Sequence, residues 1–212
     1  MLAWDCATGN GQAAEGIARY FQRVIATDAS AGQIAHTKPV ANVEYRVAPA
    51  EASGLEAASV DLVTVAQALH WLKHDQFYNE ARRVAREDAV IAAWCYGHCH
   101  AGGDVETLLR DFEEGTVGPY WHAERKWVVD NYRTIPFPFD EVTAPPMELR
   151  VRWSLSQLGE YIGSWSAVAG YRRERGEDPV PQLMKRLAVH WGPPDRPREV
   201  TWPLGMRVGR VG

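Results

Sequence analysis

Apolar positions in the first hundred residues alternate between two periods. Short apolar runs at Leu2 to Asp5, Val24 to Asp28, Val43 to Val47, Val60 to Val65 and Val90 to Trp94 predict five strands. The fourth is mostly apolar, as a strand buried on both faces should be. Between the strands the period lengthens. Asn10 to Gln22 puts Ala14, Ile17, Ala18 and Phe21 on one helical face, and Asp75 to Arg86 turns Phe77, Ala81 and Val84 inward. Ser30 suits the N-cap of a short helix that runs to about His36 and breaks near Pro39. Strands separated by helices imply crossover connections and a parallel sheet. The expected fold is therefore α/β, a doubly wound, mostly parallel sheet that binds ligands at the carboxyl ends of its strands.

The second half is less regular. Gly97 to Gly103 reads as a loop and Val105 to Glu114 as a helix. Tyr120 to Pro146, with the run Ile135-Pro136-Phe137-Pro138-Phe139, has no clean period and reads as an inserted aromatic-rich cap after strand five. Glu148 to Trp153 alternates as a strand. Ser154 caps a helix through about Arg173, Gln182 to Trp191 is a last helix, and Val200 to Val208 a closing strand. The expected organisation is a cofactor-binding core over 1–100, a cap over 101–147, and 148–212 completing the same domain.

Composition narrows the class. The 212 residues are 46% hydrophobic and 24% charged, with a net charge of −4, enough for one substantial α/β domain. No overall basic footprint for nucleic acid exists, and Arg172, Arg173 and Arg175 read as the solvated end of a helix. No stretch approaches the roughly 18 apolar residues of a membrane span, and no signal peptide is evident. The three cysteines, Cys6, Cys95 and Cys99, make no disulfide framework. A cytoplasmic protein contacting neither membrane nor nucleic acid is expected.

The strongest chemical signal is Asp5-Cys6-Ala7-Thr8-Gly9-Asn10-Gly11-Gln12, between the first strand and the first helix. Gly9 and Gly11 permit tight turning and close approach of backbone to a ligand. The same loop satisfies the dinucleotide pattern G-x-G-x-x-A through Ala14, so a nicotinamide-dependent oxidoreductase is an alternative. Asp5 argues for S-adenosylmethionine: a carboxylate there can receive the ammonium of a methionine moiety but would repel a pyrophosphate. Asp28 ends the second strand, where it can accept from both ribose hydroxyls. Glu51, after the third strand, can hold an adenine amino group, with the Ala50 amide nearby. Gln67-Ala68-Leu69-His70-Trp71 follows the fourth strand. There His70 can orient an acceptor or take its proton, and Trp71 can stack or wall a pocket. Arg125 or Arg133 can receive a carboxylate. Cys95, His98, Cys99 and His100 lack a second ligand pair, so no metal site is expected. No Y-x-x-x-K pair, G-x-S-x-G elbow, P-loop or nucleic-acid methyltransferase motif occurs.

Together the glycine loop, Ala26-Thr27-Asp28, Ala50-Glu51, Ala66-Gln67-Ala68-Leu69-His70-Trp71 and Phe137-Pro138-Phe139 resemble the class I methyltransferases. The branch is the methyltransferase type 11 or UbiE-like group, with the nearest likeness to trans-aconitate methyltransferase-like proteins. The resemblance covers essentially the whole chain and implies a Rossmann-like fold with S-adenosyl-L-methionine as cofactor and S-adenosyl-L-homocysteine as product. It puts Asp5, Ala7, Gly9 and Gly11 along the methionine and ribose, Asp28 and Ala29 at the ribose, and Ala50 and Glu51 at the adenine. Gln67 lies near the methyl donor, and His70, Trp71, Tyr96 and Tyr132 bound a small-molecule acceptor, His70 as the catalytic candidate. Ala7 stands where many relatives carry glycine. Relatives also carry helices before the first strand, here expected to be missing. That predicts an exposed apolar patch beside the first strand, covered by a second protomer in a homodimer. A non-catalytic, dimerising remnant of the fold is the other alternative.

Overall fold

Trp4 and Ala3, adjacent in the first strand, are both fully buried, and they point to opposite sides of a sheet. The computed structural model describes residues 1–211. Its strands are β1 (Leu2–Cys6), β2 (Arg23–Asp28), β3 (Val43–Val47), β4 (Val60–Ala66), β5 (Ala85–Tyr96), β6 (Asp140–Val142), β7 (Glu148–Trp153) and β8 (Arg198–Val211). The strand order is β3-β2-β1-β4-β5-β8-β6, with β7 also paired to β8. Pairing is parallel across β3-β2-β1-β4-β5 and antiparallel where β6 and β7 meet β8. The Rossmann-like, mostly parallel sheet expected from the alternation is therefore present.

Helices cover both faces of the parallel strands. On one face Ala3, Ala14, Val24 and Ala26 pack together with Ile17 and Phe21; small side chains let α1 (Gln12–Ile17) lie close to the sheet. On the other, the Trp4 ring meets Phe77 of α3 (His74–Val84) at 6.0 Å. The short α2 (Ala31–Ile34) is capped by Ser30, whose side chain accepts the Gln33 amide. Beside β1 lies a recess of about 240 Å³ in which Leu2, Ile25 and Leu55 alternate with Arg23, Arg46 and Glu56. The expected open apolar patch is not what this surface shows: charged side chains interrupt it.

The chain divides into two units. The first comprises 1–95, 130–145 and 205–211; the second, 96–129 and 146–204. This differs from the division expected from sequence. Residues 146–204 group with 96–129 because they share an apolar core that includes Val105, Leu109, Phe112, Leu158, Ile162 and Leu187. In that unit α4 (Gly103–Arg110), a π-helical turn (Asp111–Thr116), α5 (Arg125–Val129), α6 (Leu155–Gly163), α7 (Ser166–Arg175) and α8 (Val180–Trp191) accompany β7 and the first part of β8. The aromatic run at 135–139 belongs to the first unit. There Phe137 and Phe139 meet Tyr78 edge-on, and the Tyr78 hydroxyl donates to the Pro136 carbonyl. No described helix is long and apolar enough to cross a membrane.

Candidate functional site

The loop after β1 is built from left-handed backbone. Ala7, Gly9 and Gly11 have φ of 55°, 60° and 92°, and Gln67, after β4, has 53°. Such values in alanine and glutamine persist only where surrounding contacts hold them, which is typical of binding sites. A methyl group is thus accommodated at Ala7. The two glycines differ in what they face. A Cβ on Gly9 would meet nothing nearer than Gln33 Oε1 at 4.0 Å, so open space lies over it. A Cβ on Gly11 would lie 2.6 Å from the Tyr45 hydroxyl, so the β3 tyrosine sets the loop's floor.

Two carboxylates hold this loop. Asp28 accepts the Gly9 amide at 2.9 Å with one oxygen and the Ser30 amide at 2.8 Å with the other. It is half-buried, and an ionised carboxylate has lone pairs to spare after two such bonds. Asp5 is fully buried. Its oxygens take the Thr8 hydroxyl at 2.5 Å and the Thr64 hydroxyl at 2.7 Å. Burial pushes its carboxyl up to about 6, against the pull of those hydroxyls and the Ala14 amide. The expected direct contact of Asp5 with a ligand ammonium does not fit this geometry, because both oxygens are turned into the protein; Asp5 organises the loop from beneath.

After β3, Ala50 is half-buried and Glu51 exposed, with Glu51 3.6 Å from the Lys73 ammonium. The same loop is anchored at Ser53, whose amide and hydroxyl donate to buried Glu80 of α3 at 2.8 and 2.5 Å. Arg83 binds Glu80 from the other side and, as the largest cause, draws its carboxyl down to about 2. Ala29 is exposed beside Asp28.

After β4, Leu69–Trp71 forms one 3-10 turn. His70 is buried and Trp71 is exposed, their rings 4.7 Å apart. His70 Nδ1 lies 2.8 Å from the Tyr132 hydroxyl. Tyr132, expected to touch an acceptor, is itself fully buried and meets His70 instead. Tyr96 falls in the second unit, where its ring packs edge-on to Trp202 at 6.4 Å.

Other candidates are already engaged. Arg125 pairs with buried Glu113 and lies 3.7 Å from the centre of the Trp121 ring; Glu113 also binds His98 at 2.7 Å. Arg133 pairs with Asp130. His100 binds Glu106, and Cys95 and Cys99 are buried. Among the described residues no three His, Cys, Asp or Glu side chains come together as metal ligands.

Sequence reading missed Thr8, Thr64, Tyr45, Ser53 and Glu80. Thr64 had a signal: it is a polar residue in an otherwise apolar strand, and parallel register sets it beside Asp5.

A methyltransferase-domain model matches residues 4–93, from β1 to β5. Over 189 residues the chain is 35% identical to a protein of Dictyostelium discoideum named as a methyltransferase, covering 88% of this chain and 72% of that one. The chain belongs to the class I S-adenosylmethionine-dependent methyltransferases. A solved structure of a type II methyltransferase from Anaeromyxobacter dehalogenans is similar throughout. It is 44% identical, covers 99% of this chain and 89% of its own, and superposes with a TM-score of 0.93. An S-adenosylmethionine-dependent methyltransferase of Saccharomyces cerevisiae is 24% identical, covering 82% of this chain and 72% of its own length. None of these likenesses identifies the acceptor.

Proposed function

We propose that this methyltransferase binds S-adenosyl-L-methionine over the Ala7–Gly11 loop and passes its methyl group to a small-molecule acceptor. The observation that carries the reading is the tie between Asp28 and Gly9, beside open space over Gly9. It sets a half-buried carboxylate with unused lone pairs next to left-handed backbone at the carboxyl ends of β1 and β2, as a ribose and amino-acid ligand requires.

Residues of the first unit divide the task. Asp28 and Ala29 receive the ribose. Gly9 and Gly11, with Ala7, give the backbone approach for the methionine portion, and Asp5 holds that backbone in place. Ala50 and Glu51 receive the adenine, on a loop fixed by the Ser53–Glu80 bonds. Gln67 lies beside the donor and His70 and Trp71 beside the acceptor. The bound sulfonium supplies an activated methyl group, so the protein's contribution is to position the acceptor in line and exclude water.

Calorimetric titration with S-adenosylhomocysteine, with NAD as control, tests the reading. Micromolar binding of the first that Asp28→Ala abolishes supports it, and binding of NAD alone overturns it. The homodimer is tested by sedimentation at micromolar concentration, where a monomer removes it.

A further inference from the structure

We propose that His98, positioned by Glu113, takes the proton from the methyl acceptor, and that the acceptor is therefore methylated at a group that must lose a proton. His98 lies two residues beyond the carboxyl end of β5, and the carboxyl ends of parallel strands are where such sheets carry ligands. Its Nδ1 is 2.7 Å from Glu113 Oε2. Charge decides which side donates. Glu113 is buried, and its other oxygen, Oε1, is paired with the Arg125 guanidinium. A carboxylate only accepts, so Nδ1 holds the ring proton and Nε2 of the neutral ring carries the lone pair. Nε2 makes no hydrogen bond to any described residue, and the side chain is 36% exposed.

The carboxylate is held on several sides. Glu113 sits on the π-helical turn at 111–116, closed by the Val117 amide on the Phe112 carbonyl at 2.9 Å; single π turns recur at functional sites. Trp121 fixes both members of the ion pair: its indole N–H donates to the Glu113 carbonyl at 3.1 Å, and Arg125 lies over its ring. Desolvation offsets much of a buried pair's attraction, so the pair adds little stability by itself. What it does is fix a negative charge against one edge of an imidazole whose other edge is open, an arrangement that holds the tautomer and stabilises the cation that forms. The hydrogen bond from Glu113, helped by the charge of Glu114, holds His98 above its ordinary range against burial and Arg125. Cys99 and Tyr161 also face the cluster, and burial pushes both up, so they stay neutral.

The role rests on the methyl-transfer reading given above. The acceptor atom's lone pair forms a bond to the methyl carbon as the carbon–sulfur bond breaks, and the electrons of that bond stay on sulfur. The acceptor's proton passes to Nε2. The imidazolium so formed is paired with Glu113 and gives the proton to water. Alcohols, phenols and thiols need this step; thioethers and tertiary amines do not.

The test has two arms, both on the full chain. The first is the long-range ¹H–¹⁵N spectrum of the labelled histidine rings at a pH above their titration, with His98 identified by its loss in His98→Gln. The expected result is a protonated Nδ1 and a bare Nε2 in the wild type, and two shifts that converge in Glu113→Gln as the tautomers mix. A bare Nδ1 in the wild type, or shifts unmoved by Glu113→Gln, overturns the proposal. If circular dichroism shows Glu113→Gln unfolded, the wild-type spectrum decides this arm alone. The second arm is methyl transfer from labelled S-adenosylmethionine to a panel of phenols, alcohols and thiols, with thioethers and tertiary amines as controls. Turnover of a proton-bearing acceptor should fall about 100-fold or more in His98→Gln, with S-adenosylhomocysteine affinity kept. Turnover unchanged in His98→Gln, turnover confined to the controls, or none from a chain that binds S-adenosylhomocysteine overturns the proposal. Failure of S-adenosylhomocysteine to bind is a different result: it removes the methyl-transfer reading and this role with it, and leaves the ring spectrum to decide the His98–Glu113 pairing.

Discussion

Asp28 reaches back from the end of β2 to take the Gly9 amide at 2.9 Å, so the ribose candidate and the glycine loop form one hydrogen-bonded piece. Asp28→Asn keeps the size but has a single carbonyl oxygen for the two amides, and loses the charge. Charge-assisted bonds contribute about 1.5–3 kcal/mol each. S-adenosylhomocysteine affinity should therefore fall roughly 10- to 100-fold, measured by calorimetry, and the thermal midpoint should fall as well, because the Gly9 and Ser30 amides lose part of their acceptor. Unchanged affinity would remove Asp28 from the site.

The two glycines should separate stability from binding. Gly9→Ala meets open space and pays only for its left-handed backbone, about 1–2 kcal/mol. It should fold, yet bind S-adenosylhomocysteine poorly because its methyl enters the proposed ligand space. Gly11→Ala pays for φ 92° and also strikes Tyr45, with its hydroxyl oxygen and two ring atoms within 3.0 Å of the new Cβ. It should be the less stable of the two in urea unfolding. Adding Tyr45→Ala should restore part of that loss, and an equal midpoint in the presence and absence of Tyr45 would refute the contact.

Asp5 makes an unusual pH prediction. Its carboxyl titrates near 6 when folded against an ordinary 3.8, so over that interval the folded chain binds the proton that the unfolded chain releases. Its contribution is thus most favourable below 3.8 and is lost as pH rises through about 6. Keeping the charge buried above that point costs on the order of 3 kcal/mol. Asp5→Asn should flatten this part of the stability curve and raise the neutral-pH midpoint in chemical denaturation. A variant curve parallel to the wild type would show that Asp5 is not the group titrating.

Much of this was legible in the pattern of residues, and the failures have physical causes. β3 and β7 fall where alternation puts them, because each alternates apolar and polar residues without a break. The first helix stops at Ile17, short of Gln22, because the Arg19 and Tyr20 amides turn to 3-10 bonds with Gly16 and Ile17. The helix expected from Ser154 to Arg173 breaks at Ser164, whose hydroxyl binds the Tyr161 carbonyl at 2.6 Å. Candidate residues were found where a local pattern announces them, as with Gly9 and Asp28. Tyr132 and Glu80 were not understood, since their partners lie 62 and 27 residues away and no local period encodes that.

Glu80 should show the opposite pH behaviour to Asp5. Arg83, before any other cause, holds its carboxyl down at about 2 against an ordinary 4.5. Its contribution is present above 4.5 and is lost as pH falls toward 2. Because Arg83 is 43% exposed, solvent screens part of this pair, and the stability lost in Glu80→Gln should be about 1–2 kcal/mol. Glutamine still has one oxygen for Ser53, whereas Glu80→Ala leaves the Ser53 amide and hydroxyl without their acceptor. The alanine variant should therefore lose more, and lose it together with S-adenosylhomocysteine affinity, since Ser53 fixes the loop that carries Ala50 and Glu51. If Glu80→Ala lowers stability but leaves the affinity intact, that loop does not hold the adenine.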